Sequence, residues 1–259
     1  MDDFTLSTYK ELLLELKRNN YRFQTFSEYL TQPAEKVIML RHDVDKRKEN
    51  SLEFARIQKQ FGIQGSYYFR ILPQSFDTGV IRQIAAMGHE IGYHYEDMDL
   101  ANGDHGKAIA LFEKNLDTLR AVARISTICM HGSPRSRFDN RDLWNHYSYK
   151  DYGILGEPYY DIDFSKVFYL TDTGRRWDGH KVSVRDKVDQ PFELSFRHTS
   201  EIIRALRENR FPRQVMFTFH PQRWTNSPFL WWKEKNMQQL KNQAKYYLIR
   251  FRQHQSSSR

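Results

Sequence analysis

The chain of 259 residues carries a single cysteine, Cys129. That excludes an internal disulfide and a cysteine-built zinc cage, and makes a reduced, cytoplasmic setting the default expectation. Long apolar runs are also missing. The densest, Val37–Leu40 and Phe229–Trp232, fall far short of the roughly 18 residues that a membrane span needs. The opening Met1-Asp2-Asp3-Phe4 is acidic and has none of the apolar character of a secretory signal. No Pro/Gly/Ser-rich linker divides the sequence, so a single domain over 1–259 is expected, with only Gln253–Arg259 reading as a frayed tail. What is present is apolar mass: 39% hydrophobic and 15% aromatic residues suffice for a packed core and exclude a disordered chain. Lys+Arg 40 against Asp+Glu 32 leaves a net charge of +8. This excess is spread along the chain as a solvated surface, without the basic stripe and interleaved aromatics that nucleic-acid binding would require.

The first helix is signalled by Tyr9, Leu12, Leu13 and Leu16 at helical spacing, with Thr8 and Glu11 as a capping box. It belongs to a helical lead-in over 1–35. A repeating pattern of short apolar strand, loop and amphipathic helix follows over about 36–224. Strands are expected at Lys36–Arg41, Gly65–Arg70, Glu90–His94, Ile125–His131, Lys166–Thr171 and Gln214–His220. Helices are expected at Asn50–Phe61, Val80–Met87, Gly106–Ala123 and Thr199–Asn209, and a long final one over about 229–252. Such alternation implies a parallel sheet covered by helices, with a closed or nearly closed β/α barrel favoured over an open doubly wound sheet. Residues Gly132–Ser165 break the alternation, and a loop of that length covers or builds a site.

Four strands run into histidine or carboxylate: His42-Asp43-Val44-Asp45, His94-Tyr95-Glu96-Asp97, His131-Gly132-Ser133 and His220-Pro221. A β/α barrel gathers all its strand C-termini at one mouth, where active sites lie. Asp and His together suit a divalent cation held by oxygen and nitrogen. Asp43 and Asp45 are two apart and point the same way on extended chain, so one can bind metal while the other handles a proton. A metal with an open position would activate water and polarise a carbonyl, beside a carboxylate base and a histidine acid.

The segments Arg41–Asp45, Gly88–His94 (GHEIGYH) and Phe217–Pro221 (FTFHP) resemble, in order, motifs of the polysaccharide deacetylases, carbohydrate esterase family four. The likeness spans roughly Lys36 to Trp224. It implies a distorted (β/α)7 barrel that removes acyl groups from sugars with one bound divalent metal: zinc, or else manganese, cobalt or nickel. By resemblance Asp43 is the catalytic base, Asp45 and His94 are metal ligands, and His220 is the general acid. One position departs. The family's second metal histidine falls four residues after the first, where this chain has Met98, a poor ligand for such metals. His131 is the substitute expected, with Glu96 and Asp97 as alternatives. Met130–Pro134, Tyr169–Arg175 and His220–Trp224 further resemble a branch of deacetylase-like proteins from surface-polysaccharide gene clusters.

Arg176, Trp177 and Trp224 are the expected substrate-binding residues, a guanidinium for an anionic group and two indoles to stack on a sugar. The function expected is hydrolysis of an acyl group, an acetyl in the first instance, from an amino sugar or glycan precursor. The rivals are a hydrolase of another C–N amide bond and an inactive barrel that binds in surface-glycan biosynthesis.

Overall fold

A computed structural model describes residues 2–133, 136–178 and 188–256, with side chains described as far as residue 243. The elements are α1 (Leu6–Arg18), β1 (Arg22–Gln24), α2 (Phe26–Thr31), β2 (Val37–Val44), α3 (Lys48–Gln60), β3 (Ser66–Phe69), α4 (Thr78–Ala86), β4 (Glu90–Tyr95), α5 (Asp97–Leu100), α6 (His105–Arg120), β5 (Ile125–Met130), α7 (Pro158–Asp161), β6 (Phe168–Thr171), α8 (Thr199–Arg207), β7 (Gln214–Phe219) and α9 (Pro228–Ser256).

The six strands expected from the sequence all form, and a seventh was not foreseen. The sheet order is β5-β4-β3-β2-β7-β6, every pairing parallel. Strand β1, inside the segment read as a helical lead-in, pairs with Val37–Met39 and shares one edge of β2 with β3, which pairs with Arg41–Val44. The sheet is not closed, since no strand pairing joins β5 to β6 among the described residues. Instead the chain around Gly156 lies along the free edge of β5: Leu155 N donates to Ser126 O (2.7 Å) and Ile128 N to Gly156 O (3.1 Å). Part of the long segment expected as loop is thus a strap on that edge.

Alternation along the strands sorts side chains into two layers. Ile38, Leu40 and Val44 of β2 join Phe54, Tyr67, Phe69, Tyr93, Ile128, Phe217 and Phe219 in the core between sheet and helices. Met39, with Tyr68, Cys129, Tyr169 and Met216, fills the inner face. A period of two then carries Arg41 and Asp43 to the same inner face as Met39. Close packing there dictates Gly92, because a Cβ on it would lie 2.3 Å from the Tyr68 ring. Gly88, at φ +91°, turns the chain from α4 into β4 in a conformation other residues rarely adopt.

Helix α1 buries Tyr9, Leu12, Leu13 and Leu16 as its periodicity requires, but its cap is Thr5, whose side chain accepts from Thr8 N. A capping box lies one helix later, where Thr25 and Glu28 close α2 reciprocally. Helix α9 continues through Gln253–Ser256, where a frayed tail was expected, and 257–259 lie outside the described residues.

Candidate active site

The side chains that leave the inner C-terminal ends of β2, β4, β5 and β7 meet around Asp45. Its Oδ1 lies 3.6 Å from His94 Nε2 and 3.6 Å from His131 Nε2, and its Oδ2 lies 3.9 Å from His220 Nε2. Ligand atoms of Asp45, His94 and His131 all fall within 4.8 Å of one another. Asp43, His94 and Cys129 form a second group within the same limit, deeper in the barrel. At 3.6 Å the contacts are too long for hydrogen bonds, and Asp45 Oδ1 is buried without a hydrogen-bond partner. Gln222 Nε2 steadies the other oxygen at 3.1 Å. Burial opposes ionisation of Asp45, yet the three imidazoles around it hold its carboxyl well below the usual range.

Each histidine is oriented from behind. His94 Nδ1 lies 2.9 Å from Cys129 O, a carbonyl that can only accept, so Nδ1 donates and the ring is turned with Nε2 toward Asp45. His131 Nδ1 faces Glu96 Oε2 at 3.2 Å as an ion-pair contact without hydrogen-bond geometry, and Glu96 is gripped by Arg70, whose Nε donates at 2.9 Å. Burial works against the Glu96 charge, but His131 and Arg70 bring its carboxyl down to about 2. His220 Nδ1 lies 2.6 Å from Asp172 Oδ1, while Asp172 Oδ2 accepts from His220 N (2.9 Å) and Trp224 Nε1 (2.7 Å). Burial and the Arg223 charge disfavour imidazolium at His220, but Asp172 and Asp45 outweigh them and raise its affinity for a proton. His94 and His220 each have one ring nitrogen hydrogen-bonded and the other aimed at Asp45, the way metal-binding histidines are held.

Asp43 sits one inner position below Asp45, 3.8 Å from His94 Nε2 through Oδ2. Arg41, two residues back on the same face of β2, forks onto it: Nε donates to Oδ1 at 2.8 Å and Nη2 to Oδ2 at 2.6 Å. Burial alone would raise the Asp43 carboxyl, but the guanidinium overrides it and keeps it ionised. His42 points the other way, into the core, stacked on Tyr67 at 4.1 Å.

The structure therefore brings together Asp43, Asp45, His94, His131 and His220. It does not bring in Arg176, which pairs with Asp178 and lines a separate cavity of about 350 Å³ with Arg175, Arg197 and Trp231. Trp177 and Trp224 are corrected to core residues. Both are fully enclosed, packed on Phe4 and Phe219, with no face left for a sugar. Trp224 touches the site only through Asp172. Of the alternatives to Met98, Glu96 stands behind His131. Asp97 is buried in hydrogen bonds from Tyr93 OH (2.9 Å) and Asn115 Nδ2 (2.8 Å), and burial pushes its carboxyl up to about 7. Met98 itself lies in the core. Glu157 does not reach the cluster and accepts from Met130 N at 3.0 Å. Pro134 of the Met130–Pro134 stretch lies outside the described residues.

Arg41 and Asp172 are supporting residues that sequence reasoning left without roles, and Glu96, considered there as an alternative ligand, stands behind His131 instead. The parity signal was there for two: Arg41 is two before Asp43 and Glu96 two after His94, so each falls on the side of the sheet that carries the cluster. Asp172 follows β6 directly and His220 follows β7, and only the strand order reveals that they are neighbours.

Fold and site together define an α/β protein with a parallel seven-stranded sheet and an Asp/His cluster at its C-terminal mouth. No protein-family model and no curated protein matches the chain. Solved structures do. A CE4-family pseudoenzyme from Bacillus anthracis is 12% identical at a TM-score of 0.45, over 80% of this chain and 63% of that one. A CE4 esterase from Streptococcus mutans is 11% identical at 0.45, over 90% of this chain and 91% of that one. A family 4 carbohydrate esterase from Bacillus subtilis is 13% identical at 0.38, over 80% and 86%. The chain spans less than two thirds of three CE4 pseudoenzyme chains it matches, 65%, 63% and 64%.

Proposed function

We propose that the protein is a metal-dependent hydrolase that removes an acyl group, an acetyl in the first instance, from an amino sugar or glycan precursor. One observation carries this reading: two imidazole Nε2 atoms stand 3.6 Å from a buried, otherwise unpaired carboxylate oxygen. A tetrahedral ion with bonds of about 2.0–2.2 Å spaces its ligand atoms by roughly 3.3–3.6 Å. Asp45, His94 and His131 thus fit a divalent cation, zinc by donor type, with manganese, cobalt and nickel also compatible. When bound, such a cation supplies Lewis-acid polarisation of the acyl carbonyl and makes water more acidic.

The remaining roles belong to side chains. Asp43, ionised and locked by Arg41, accepts the proton of the attacking water. His220, held by Asp172 and made more basic by it, carries a proton to the departing amine. The sugar class rests on the motif resemblance. A catalytically silent sugar-binding barrel is the second reading, favoured by Met98 in the core where the resemblance implies a metal histidine.

The test has two arms. Metal bound by protein purified without chelator is measured in wild type, Asp45→Ala, His94→Ala and His131→Ala. One equivalent in wild type and a large loss in each variant is expected, and full retention by His131→Ala removes it from the ligand set. Acetate release from a panel of N-acetylated amino sugars is then compared with Asp43→Asn. Metal binding without turnover on any sugar decides for the second reading.

A further inference from the structure

Helix α9 is built inside out. At 100° per residue, Phe229, Trp232, Met237 and Leu240 fall within an arc of roughly 140°. That arc faces solvent: the four side chains are 70%, 63%, 45% and 65% exposed. The opposite side docks on the protein and is polar. Glu234 is buried and approaches Arg47 (3.9 Å), Gln238 is buried and donates to Asn242 Oδ1 (2.8 Å), and Asn242 Nδ2 donates to Gly174 O (3.0 Å). Trp231 Nε1 donates to Asp3 O at 2.7 Å and completes the seat. A surface helix ordinarily buries its apolar stripe and shows its polar one. This one spends its polar residues on docking and leaves tryptophan, phenylalanine, leucine and methionine outward.

Charge decides what covers that stripe. Pro228–Ser256 contains six Lys or Arg residues (Lys233, Lys235, Lys241, Lys245, Arg250, Arg252) and one carboxylate, Glu234. That carboxylate faces inward. A second copy of the chain would set two helices of the same excess positive charge against each other, at an unfavourable cost. An anionic surface complements that excess, and Lys233 stands exposed within the stripe itself. Aromatic residues beside lysines suit the boundary between headgroups and acyl chains, where an amphipathic helix lies flat without spanning. No helix among the described residues is long and apolar enough to cross a membrane, and lying on one requires no such helix.

We infer that the outer face of α9 docks the protein on an anionic bilayer surface. This goes beyond the hydrolase reading and does not rest on the metal cluster.

Flotation of the full chain with vesicles tests it, using equimolar phosphatidylglycerol and phosphatidylcholine against phosphatidylcholine alone. Binding to the anionic vesicles, weakened by salt and absent from the neutral ones, is expected. Trp232→Ser with Leu240→Ser should lower that binding at least about tenfold, because each side chain withdraws large apolar area from water. Lys233→Glu with Lys241→Glu keeps the stripe and should abolish the preference for anionic lipid. Both pairs replace exposed residues, and a circular-dichroism melt checks that they fold. No flotation of wild type, equal binding to both vesicles, or binding that the Trp232/Leu240 pair leaves intact overturns the inference. So does a concentration-dependent dimer in sedimentation that this pair dissolves while vesicles bind nothing, which assigns the face to a second copy.

Discussion

Replacing Arg41 by methionine deletes the fork that holds Asp43 while keeping most of the side chain's length. Both groups are buried, at 2% and 3% relative exposure, so water cannot take over the lost bonds. Removing one partner of a buried ion pair costs about 3–5 kcal/mol, since the other charge is left without compensation. Against a typical total of about 5–15 kcal/mol, that is a large but measurable loss in urea unfolding at 25 °C. The cost must depend on pH, with a sign that can be stated in advance. Without the guanidinium, burial dominates and lifts the Asp43 carboxyl above its unfolded value. A raised carboxyl contributes stability at low pH and loses it as pH rises through the folded value. Arg41→Met should therefore be milder at pH 5 than at pH 8.

The companion variant is Arg41→Met with Asp43→Asn. Neutralising the orphaned carboxylate should return about 1–3 kcal/mol at pH 8, the usual range of coupling between residues in contact. If Arg41→Met costs less than about 1 kcal/mol and the cost is flat with pH, Asp43 is not held by Arg41 and the buried fork is wrong. Acyl release should meanwhile fall by about a hundredfold in Arg41→Met, the order expected when a reacting group is misplaced by about 1 Å.

Two further outcomes follow from groups away from the cluster. His89 bridges Gly65 N (3.2 Å) and Ala55 O (3.1 Å) as a neutral imidazole, and burial lowers it to about 4. Unfolded, it takes a proton near 6.5, so stability is lost as pH falls from about 6.5 to about 4, by about 3 kcal/mol in all. Urea midpoints across that window should drop less steeply in His89→Gln, and equal slopes would exclude His89 as the cause. Gly92→Ala would place a methyl 2.3 Å from the Tyr68 ring, and an overpacked core costs about 1–3 kcal/mol. A thermal midpoint unchanged from wild type would show that the ring moves freely.

The fold was legible because strand and helix periods alternate cleanly from Lys36 onward. Each of the six apolar runs expected as strands became a strand of the parallel sheet. Misreading began where the signal is shortest. Strand β1 is three residues, Arg-Phe-Gln, with no alternation to detect, and it exists because Val37–Met39 offers an edge that β3 leaves free. Strand β2 was read as ending at Arg41, yet it runs to Val44. Of its last residues Asp43 faces the barrel mouth while His42 and Val44 turn into the core, so polarity there does not mark the end of the strand. The start of α1 was misplaced for a related reason, since Thr5 and Thr8 carry the same capping chemistry and only backbone conformation separates them.

Within the site, position along a strand told more than residue type. Asp45, His94, His131 and His220 were singled out because each follows an apolar run, and the sheet carries all four to one mouth. Trp177 and Trp224 also follow strands, and the same logic placed them at the mouth, yet both are folded away. An indole gains most from burial when its N–H finds an acceptor. Trp177 Nε1 donates to Thr199 Oγ1 at 2.9 Å and Trp224 Nε1 to Asp172 at 2.7 Å. The acceptors, contributed by residues up to 52 positions away, are invisible to any local pattern. For a titratable side chain the strand end supplies the address. For an aromatic one the address depends on whether a distant group satisfies its single polar atom, so strand-end tryptophans in a barrel are to be assigned to the core unless no such acceptor exists.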